Sequence, residues 1–415
     1  MSNERSGFSS RLGFVLATAG SAVGLGNIWR FPYLAAKYGG GTFLLTYLIL
    51  TLTFGFSLMI TEVALGRKAG TSAIRAFGHF SKKHTFIGYL TTIIPFIIFP
   101  YYCVIGGWVT KYALVSLQGG IHNAASDTFF TGFISKSAEP MICVLVFLIA
   151  TTVVVAGGVK GGVERVSTIM MPVLIVLLIG VSLFCITRPG AMAGVAYYLK
   201  PSLKGFGPTT ILAALGQLFY SMSLAMGIMI TFGSYMPKKA DLEKSVTQVE
   251  IFDTGVAFLA GLMIVPAVFV FSNGDSSMLA KGPSLMFVML PKVFNSMAFS
   301  SVIAAVFFIL VLLAALTSSI SLLETLVAVL MDKFHMKRGT ACITMFIIAL
   351  LLAVPSSLGF GAWSNITILG FDFLDFFDFL TNSVMMPIAA IATCLLISRV
   401  VGTKKIEEEV LQEGG

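Results

Sequence analysis

Two short runs interrupt otherwise apolar segments with residues that favour an open backbone. Gly20-Ser21-Ala22-Val23-Gly24-Leu25-Gly26-Asn27 is the first, and Ser221-Met222-Ser223-Leu224-Ala225-Met226-Gly227 the second. Glycine costs a helix about 1 kcal/mol relative to alanine, so glycines at 20, 24 and 26 invite unwinding. An unwound stretch frees carbonyls and N–H groups for ions and small polar molecules, and broken helices at matching places in two halves point to a midplane site in an inverted-repeat transporter. The glycines would equally serve close helix packing, and spacing alone leaves both readings open. Glu62 and Glu324 add two ionisable groups inside apolar segments, where a charge is costly and is a functional candidate by default.

The segments that must hold these residues are long. The chain has 415 residues, 57% apolar and 11% charged, against about 45–50% and about 25% in soluble proteins. Stretches such as Leu44–Ile60, Phe86–Val104, Met141–Ala156 and Val302–Leu316 carry no Lys, Arg, Asp or Glu, and several approach the roughly 20 residues of a bilayer-spanning helix. Ten spans are expected, at 11–37, 41–69, 86–117, 139–157, 162–187, 208–236, 243–272, 299–333, 338–355 and 366–399. Loops near 119–138 and 188–207 read as polar and irregular, and 275–298 as short capping helices.

With the N-terminus inside, the inner loops hold about twice as many lysines and arginines as the outer ones, which places both chain ends in the cytoplasm. The expected location is the plasma (inner) membrane, and the N-terminal segment does not read as a cleavable signal. The net charge of +8 comes from these loops, not from the basic stripe that nucleic-acid binding needs. Cys103, Cys143, Cys185, Cys342 and Cys394 lie in or beside apolar blocks without a CxxC, so neither a disulfide nor a metal cluster is expected. An intramembrane enzyme is disfavoured because His79, His84, His122 and His335 lie in loops or at helix ends and no HExxH occurs. A channel would show repeated polar rings rather than two broken helices. Oligomeric state is not legible in the sequence.

Residues 11–33, RLGFVLATAGSAVGLGNIWRFPY, closely resemble the first helix of the neurotransmitter:sodium symporter family, and its bacterial amino-acid carriers above all. Further resemblances are Gly39-Gly40-Gly41, Glu62 with Gly66-Arg67, Tyr101-Tyr102 with Trp108, Gly216-Gln217 through Ser223, and Leu316-Thr317-Ser318-Ser319. The resemblance covers nearly the whole chain. It implies an all-α membrane protein of two inverted five-helix repeats with broken helices 1 and 6. The expected division is an N-terminal segment 1–10, repeats at 11–187 and 208–399, an outer loop 188–207 and a tail 400–415. Members usually have eleven or twelve helices; ten are legible here, with both repeats complete.

What the resemblance implies for function is sodium-coupled symport of a neutral amino acid, not enzymatic catalysis; a transport-inactive amino-acid sensor on the same fold is the alternative. One sodium would meet the Ala22 carbonyl, Asn27, Ser221, Asp253 and the substrate carboxylate. A second would meet carbonyls of Gly20, Val23 and Ala314 with the hydroxyls of Thr317 and Ser318. Sodium, like other hard cations, takes oxygen ligands. The substrate carboxylate would face the N–H groups of Leu25 and Gly26 and the Tyr102 hydroxyl. Its amino group would face carbonyls near Ala22, Tyr220 and Ser223. The side-chain pocket would be lined by Ser21, Ile98, Tyr220, Met226, Ser319 and Leu322, with Ala225, where many relatives have glycine, limiting unwinding.

Arg30 with Asp378, or with Asp375, would close the outside below a lid of Tyr102 and Tyr220. Arg5 with Asp332, supported by Phe8 and Tyr235, would close the inside. Glu62 is expected to bond unwound backbone of segment 1, and Gly162 with Pro172 to open an inner water path. Chloride-dependent relatives hold the anion among Tyr, Gln and Ser groups, matched here by Tyr47, Gln217 and Ser221; Asp253, where many have asparagine, would supply the negative charge instead. No chloride requirement is expected.

Overall fold

The computed structural model describes residues 7–202, 206–273 and 285–412, and among these the only extended pairing is an isolated bridge between Ile368 and Phe371. Everything else regular is helical. The first span is α1 (Arg11–Ala22) followed, after a break, by a wide turn at Gly26–Arg30 and α2 (Phe31–Lys37); the two pieces bend by 53°. The second is α3 (Gly41–Leu50) and α4 (Phe56–Ala69), and α5 (Ala73–Phe80) links it to α6 (Thr85–Leu117). Short α7 (Ile121–Ala124) and α8 (Phe129–Ile134) precede α9 (Ala138–Ala156), and α10 (Arg165–Ile186) completes the first five.

The second half follows α11 (Ala191–Leu199). It runs α12 (Pro208–Ser221), α13 (Ile228–Tyr235), α14 (Leu242–Phe271), α15 (Leu290–Asn295), α16 (Ser300–Phe334) and α17 (Arg338–Leu358). A last span comprises α18 (Phe373–Asp378) and α19 (Met386–Leu396), and α20 (Thr403–Val410) ends the helices. Among the described residues eight spans are long and apolar enough to cross a bilayer, and the bent α1/α2 pair makes nine. The tenth is α12 with α13, two half-helices separated by Met222–Gly227.

Helix ends are set by side chains that satisfy the free N–H groups of a first turn. Ser10 accepts from Gly13 at 3.0 Å to start α1, and Asp372 accepts from Asp375 at 2.9 Å to start α18. Asp241 caps α14 by accepting from the Lys244 N–H, which holds its carboxyl below the usual carboxylate range.

Loops sort to two ends, as successive crossings require. At one end Phe8 bonds Tyr235, Ser72 bonds Asp332, Arg67 bonds Glu409, and Arg338 reaches the Val155 carbonyl. At the other, Thr42 bonds Ser202, Tyr197 bonds Ala36, Lys111 pairs with Glu139, and Lys292 with Asp127. Between the ends the outward faces are apolar, with Val153, Val176, Leu351 and Ile391 all exposed.

Inside, small residues let backbones touch. A Cβ on Gly66 would sit 1.9 Å from the Ile230 carbonyl, and one on Gly233 would sit 2.3 Å from the Val63 carbonyl. Those two glycines fuse α4 and α13 into one body.

Three expectations change. The connections at 119–138 and 188–207 are not irregular: α7, α8 and α11 form there because Ile121, Phe130, Phe133, Ala191 and Tyr198 bury one face of each turn. The last span begins at Phe373 rather than 366, because positions 359–370 turn back on themselves before Asp372 caps the helix. Short helix does cap 285–295, while 274–284 lies outside the described residues.

Candidate functional site

The two helix breaks meet. Ser21 donates from its hydroxyl to Ser223 Oγ at 3.1 Å, and Ser223 donates to the Ser21 carbonyl at 3.1 Å. In the second break Ser223 (φ 53°) and Ala225 (φ 60°) both sit in the left-handed region, which costs a non-glycine residue roughly 1–2 kcal/mol. Alanine at 225 therefore does not prevent the unwinding. What holds that strained stretch is Glu62, whose Oε1 accepts from the Ala225 N–H at 3.0 Å. Glu62 thus bonds the break of the second half, not the break of segment 1 as expected from sequence.

Between the breaks lies a small cavity of about 30 Å³, space for one or two water molecules. Its walls include Ser21, Ala22, Leu25, Gly26, Ile98, Tyr102, Tyr220, Ser221, Ser223, Met226 and Leu322, eleven of the twelve anticipated substrate residues. Gly24, Asn27, Ile228 and Ser318 join them. No Lys, Arg, His, Asp or Glu side chain lines it. The Tyr102 hydroxyl is buried there beside the Ser318 hydroxyl and the Leu25 N–H, without a well-formed hydrogen bond to either, so it is placed to bond a ligand or water. Ser319 is the exception: its hydroxyl bonds Leu316 O at 2.9 Å and Thr151 Oγ1 at 2.8 Å, turned toward α9 and away from the cavity.

Two oxygen clusters flank the cavity. In the first, Asp253 Oδ1 accepts from Asn27 Nδ2 at 2.7 Å and from Ser221 Oγ at 2.8 Å, and Oδ2 accepts from Tyr47 at 3.2 Å. All four residues are fully buried or nearly so. Gln217 donates instead to the Gly26 carbonyl at 3.0 Å. In the second, the Ser318 hydroxyl lies 3.4, 3.0 and 3.4 Å from the carbonyls of Gly20, Ser21 and Val23. Thr317 Oγ1 bonds Ala314 O at 3.1 Å beside them. The anticipated set of Gly20, Val23, Ala314, Thr317 and Ser318 is brought together, and Ser21 adds a carbonyl that the sequence reading did not name. Carbonyls crowd one hydroxyl here because α1 ends at Ala22 and can no longer use them internally.

Above the cavity a vestibule of about 380 Å³ is walled by Trp29, Arg30, Tyr33, Trp108, Phe130, Phe287, Phe360, Asp375 and Asp378, among others. Tyr220 lines both spaces and separates them. The direct Arg30–Asp378 ion pair is not made. Arg30 stacks on the Tyr220 ring at 5.0 Å with one terminal nitrogen buried and unpartnered, and Asp378 accepts from Tyr101 at 3.3 Å and Asn382 at 2.6 Å. The two charges face the same cavity, each held by a neighbour. Asp375 lies in the same wall, likewise without an ion pair to Arg30 among the described residues.

Below the cavity Phe8 is buried edge-on among Phe14, Phe232 and Tyr235, and its N–H donates to the Tyr235 carbonyl at 2.9 Å. The Tyr235 hydroxyl donates to Glu324 at 2.8 Å, and Arg338 grips the same carboxylate at 2.6 and 2.9 Å. Ser9 fastens to Glu164 by its N–H (2.8 Å) and hydroxyl (2.6 Å). Glu164 closes the wide turn Val159–Glu164 that contains Gly162, ahead of Pro172 in α10. Asp332 accepts from the Ser72 N–H at 2.7 Å, and Arg5, its anticipated partner, lies outside the described residues. Sequence reasoning singled out Glu324 and Tyr235 but missed their link to Arg338, and missed Ser9–Glu164 altogether. Partners 14 and 155 positions apart leave no local pattern to find.

Comparison with known proteins agrees with this geometry. The sequence model of the Sodium:neurotransmitter symporter family matches residues 5–132 and 130–415. A sodium-dependent transporter of Bacillus subtilis, YhdH, is 36% identical over 411 residues, covering 98% of this chain and 89% of that protein. One from Methanocaldococcus jannaschii is 33% identical over 423 residues, covering 98% and 84%. The crystal structure of MhsT in complex with L-phenylalanine superposes with a TM-score of 0.90 at 39% identity, over 98% of this chain and 93% of that one. The fold is therefore two inverted five-helix repeats in a multi-pass membrane transporter that uses sodium, and the chain belongs to the sodium:neurotransmitter symporter family.

Proposed function

We propose that this transporter carries a neutral, apolar or aromatic amino acid into the cell together with two sodium ions, by alternating access and without chloride. The observation that carries this reading is the cavity between the helix breaks, whose walls hold no Lys, Arg, His, Asp or Glu side chain. A charged side chain entering it would lose its hydration without a partner. A zwitterionic backbone would not: its carboxylate has the Tyr102 hydroxyl and the start of the helix that follows Leu25, where the dipole favours an anion, and its ammonium has the carbonyls of the unwound stretches. MhsT, 39% identical, binds L-phenylalanine in its crystal structure. The cavity is contracted here, so the rings of Tyr102 and Tyr220 and the Met226 side chain must give way as substrate enters.

Sodium fits both oxygen clusters. At the first, the Asn27 amide and the ion compete for one oxygen of Asp253, with Ser221 as the hydroxyl partner. At the second, three carbonyls already converge on Ser318. The case against chloride rests on the same residues. Tyr47 and Ser221, two groups that would cage an anion, point their hydroxyls at Asp253. Unit charges interact by roughly 4 kcal/mol at about 4 Å and an effective dielectric near 20, so a permanent carboxylate there balances a sodium that water cannot screen. The repeats at 11–187 and 208–399 form the transport unit, with both chain ends cytoplasmic.

Competition against labelled amino-acid uptake by a panel of unlabelled ones tests the substrate class. Phenylalanine, leucine, tryptophan or tyrosine should compete; strong competition by glutamate or lysine with none by these four overturns the assignment. For chloride, uptake in chloride and gluconate should match in the parent, whereas Asp253→Asn should impair uptake and make the remainder respond to chloride. A chloride-dependent parent, or a fully active mutant in gluconate, contradicts it.

A further inference from the structure

The tail helix α20 is fastened to α4 chiefly through one buried side chain, Arg67. Arg67, at the end of α4 and 1% exposed, donates from Nε to Glu409 Oε1 at 2.8 Å, from Nη1 to the Ala240 carbonyl at 2.8 Å, and from Nη2 to the Glu409 carbonyl. Lys238 donates to the Arg67 carbonyl, and Lys68 to the Lys405 carbonyl at 3.1 Å. Glu409 and Ile406 are buried beneath the helix, while Glu407 and Glu408 are exposed. A planar guanidinium with its donors spread over two segments fixes their relative position. Burial makes the arrangement intolerant of losing either charge.

The body to which α20 is fastened reaches the transport site. Glu62 of α4 holds the Ala225 N–H in the strained wall of the cavity. Gly66 and Gly233 lock α4 to α13 backbone against backbone. At its near end α13 carries Tyr235, which meets both Phe8 and Glu324. Ala240, held by Arg67, lies five residues beyond Tyr235. One rigid unit therefore touches the cavity at one end, the inner closure at the other, and the tail helix through Arg67.

We propose that Arg67 and Glu409 are positioning residues for transport: through them α20 sets the inner position of the α4–α13 unit, and with it the balance between closed and open inner ends. Neither residue touches ion or substrate. A contact made more strongly in one arrangement biases the equilibrium toward it, and a buried fork with a single acceptor carboxylate is such a contact. Loosening it frees the Tyr235 end of α13, and Phe8 loses its seat.

Hydrogen–deuterium exchange of the full chain in lipid nanodiscs, read by mass spectrometry, tests this without any substrate. Glu409→Gln should speed exchange about tenfold in peptides covering 7–22 and 228–240, and leave α9 and α17 unchanged. Glu409→Asp should restore most of the protection, and Glu408→Gln should do nothing. Where Glu409→Gln fails to reach the membrane, Ile406→Ala loosens α20 without stranding a charge and should give the same local pattern. A uniform rise across all helices would make the pair a stability element only. No rise anywhere, or an equal effect from Glu408→Gln, would overturn the proposal.

Discussion

The two ends of the cavity between the helix breaks are closed by different physics. Toward the vestibule the closure is one aromatic ring, Tyr220, with Arg30 stacked on it and Asp378 held by Tyr101 and Asn382 instead of by Arg30. Toward the chain ends it is an interlocked set: Phe8 in its aromatic seat, Tyr235–Glu324–Arg338, and Ser9–Glu164. The first is a loose lid between the cavity and a vestibule of about 380 Å³; the second is a chain of charge-assisted bonds around buried carboxylates. The structure rests with its chain-end side shut, and the difference teaches where energy must be supplied: an opening toward the chain ends has to separate the Glu324–Arg338 ion pair, whereas an opening toward the vestibule has to move a ring.

That asymmetry can be broken from the inside first. Glu324 is fully buried with Arg338 on it, and removing one partner of a buried pair costs about 3–5 kcal/mol. Glu324→Gln should abolish net uptake while raising the reactivity of a cysteine placed at position 8 toward a membrane-impermeant thiol reagent added on the chain-end side. Normal uptake would show that the pair does not hold the closure.

The two oxygen clusters sit on the seam between the ends. Replacing both Thr317 and Ser318 with alanine leaves only carbonyls at the second cluster, and sodium-dependent substrate binding should vanish. Scintillation-proximity binding at graded sodium concentrations reads this directly, and an unchanged sodium dependence in the double mutant would remove the cluster from the mechanism.

A smaller effect is expected at Ser9–Glu164. Glu164→Gln keeps one acceptor and loses the charge, a change of about 1–2 kcal/mol. It should raise inner-side thiol reactivity by roughly tenfold, 1.4 kcal/mol being a factor of about ten, with uptake retained. Smallest of all should be Asp378→Asn, since no ion pair is lost: about 1 kcal/mol or less, read as a modest change in KM with sodium dependence intact. If Asp378→Asn cripples transport more than Glu324→Gln does, the comparison is inverted.

Much of this was legible in residues 11–33 and 316–319 through the family they resemble; glycine spacing alone left unwinding and close packing both open, and the hydroxyls took their ligand roles from the resemblance. The cavity walls followed from the same resemblance: Ser21 to Gly26 and Tyr220 to Met226 lie at or beside the breaks, while Ile98, Tyr102 and Leu322 come from unbroken helices that no break points to. Ser319, expected in the pocket wall, was misplaced since a helix carries each successive side chain about 100° around its axis: with Ser318 facing the cavity, Ser319 turns to Thr151 on α9. Glu62 was assigned to the wrong break because an acceptor on α4 lies within reach of either unwound stretch, and only packing of α4 on α13 decides between them. Helices α7, α8 and α11 were missed because they run for only four, six and nine residues, too short for a helical period to show in the sequence. Long-range ion pairs such as Arg67–Glu409 have no local signature at all.

The central claim is that sodium and a neutral amino acid move together through the site between the two breaks. Uptake of labelled L-phenylalanine into proteoliposomes, with an inward sodium gradient and with choline in its place, tests it most directly. The account predicts uphill accumulation that requires the sodium gradient, collapses when the gradient is dissipated, and is equal in chloride and gluconate. Accumulation that is the same in choline as in sodium would contradict it.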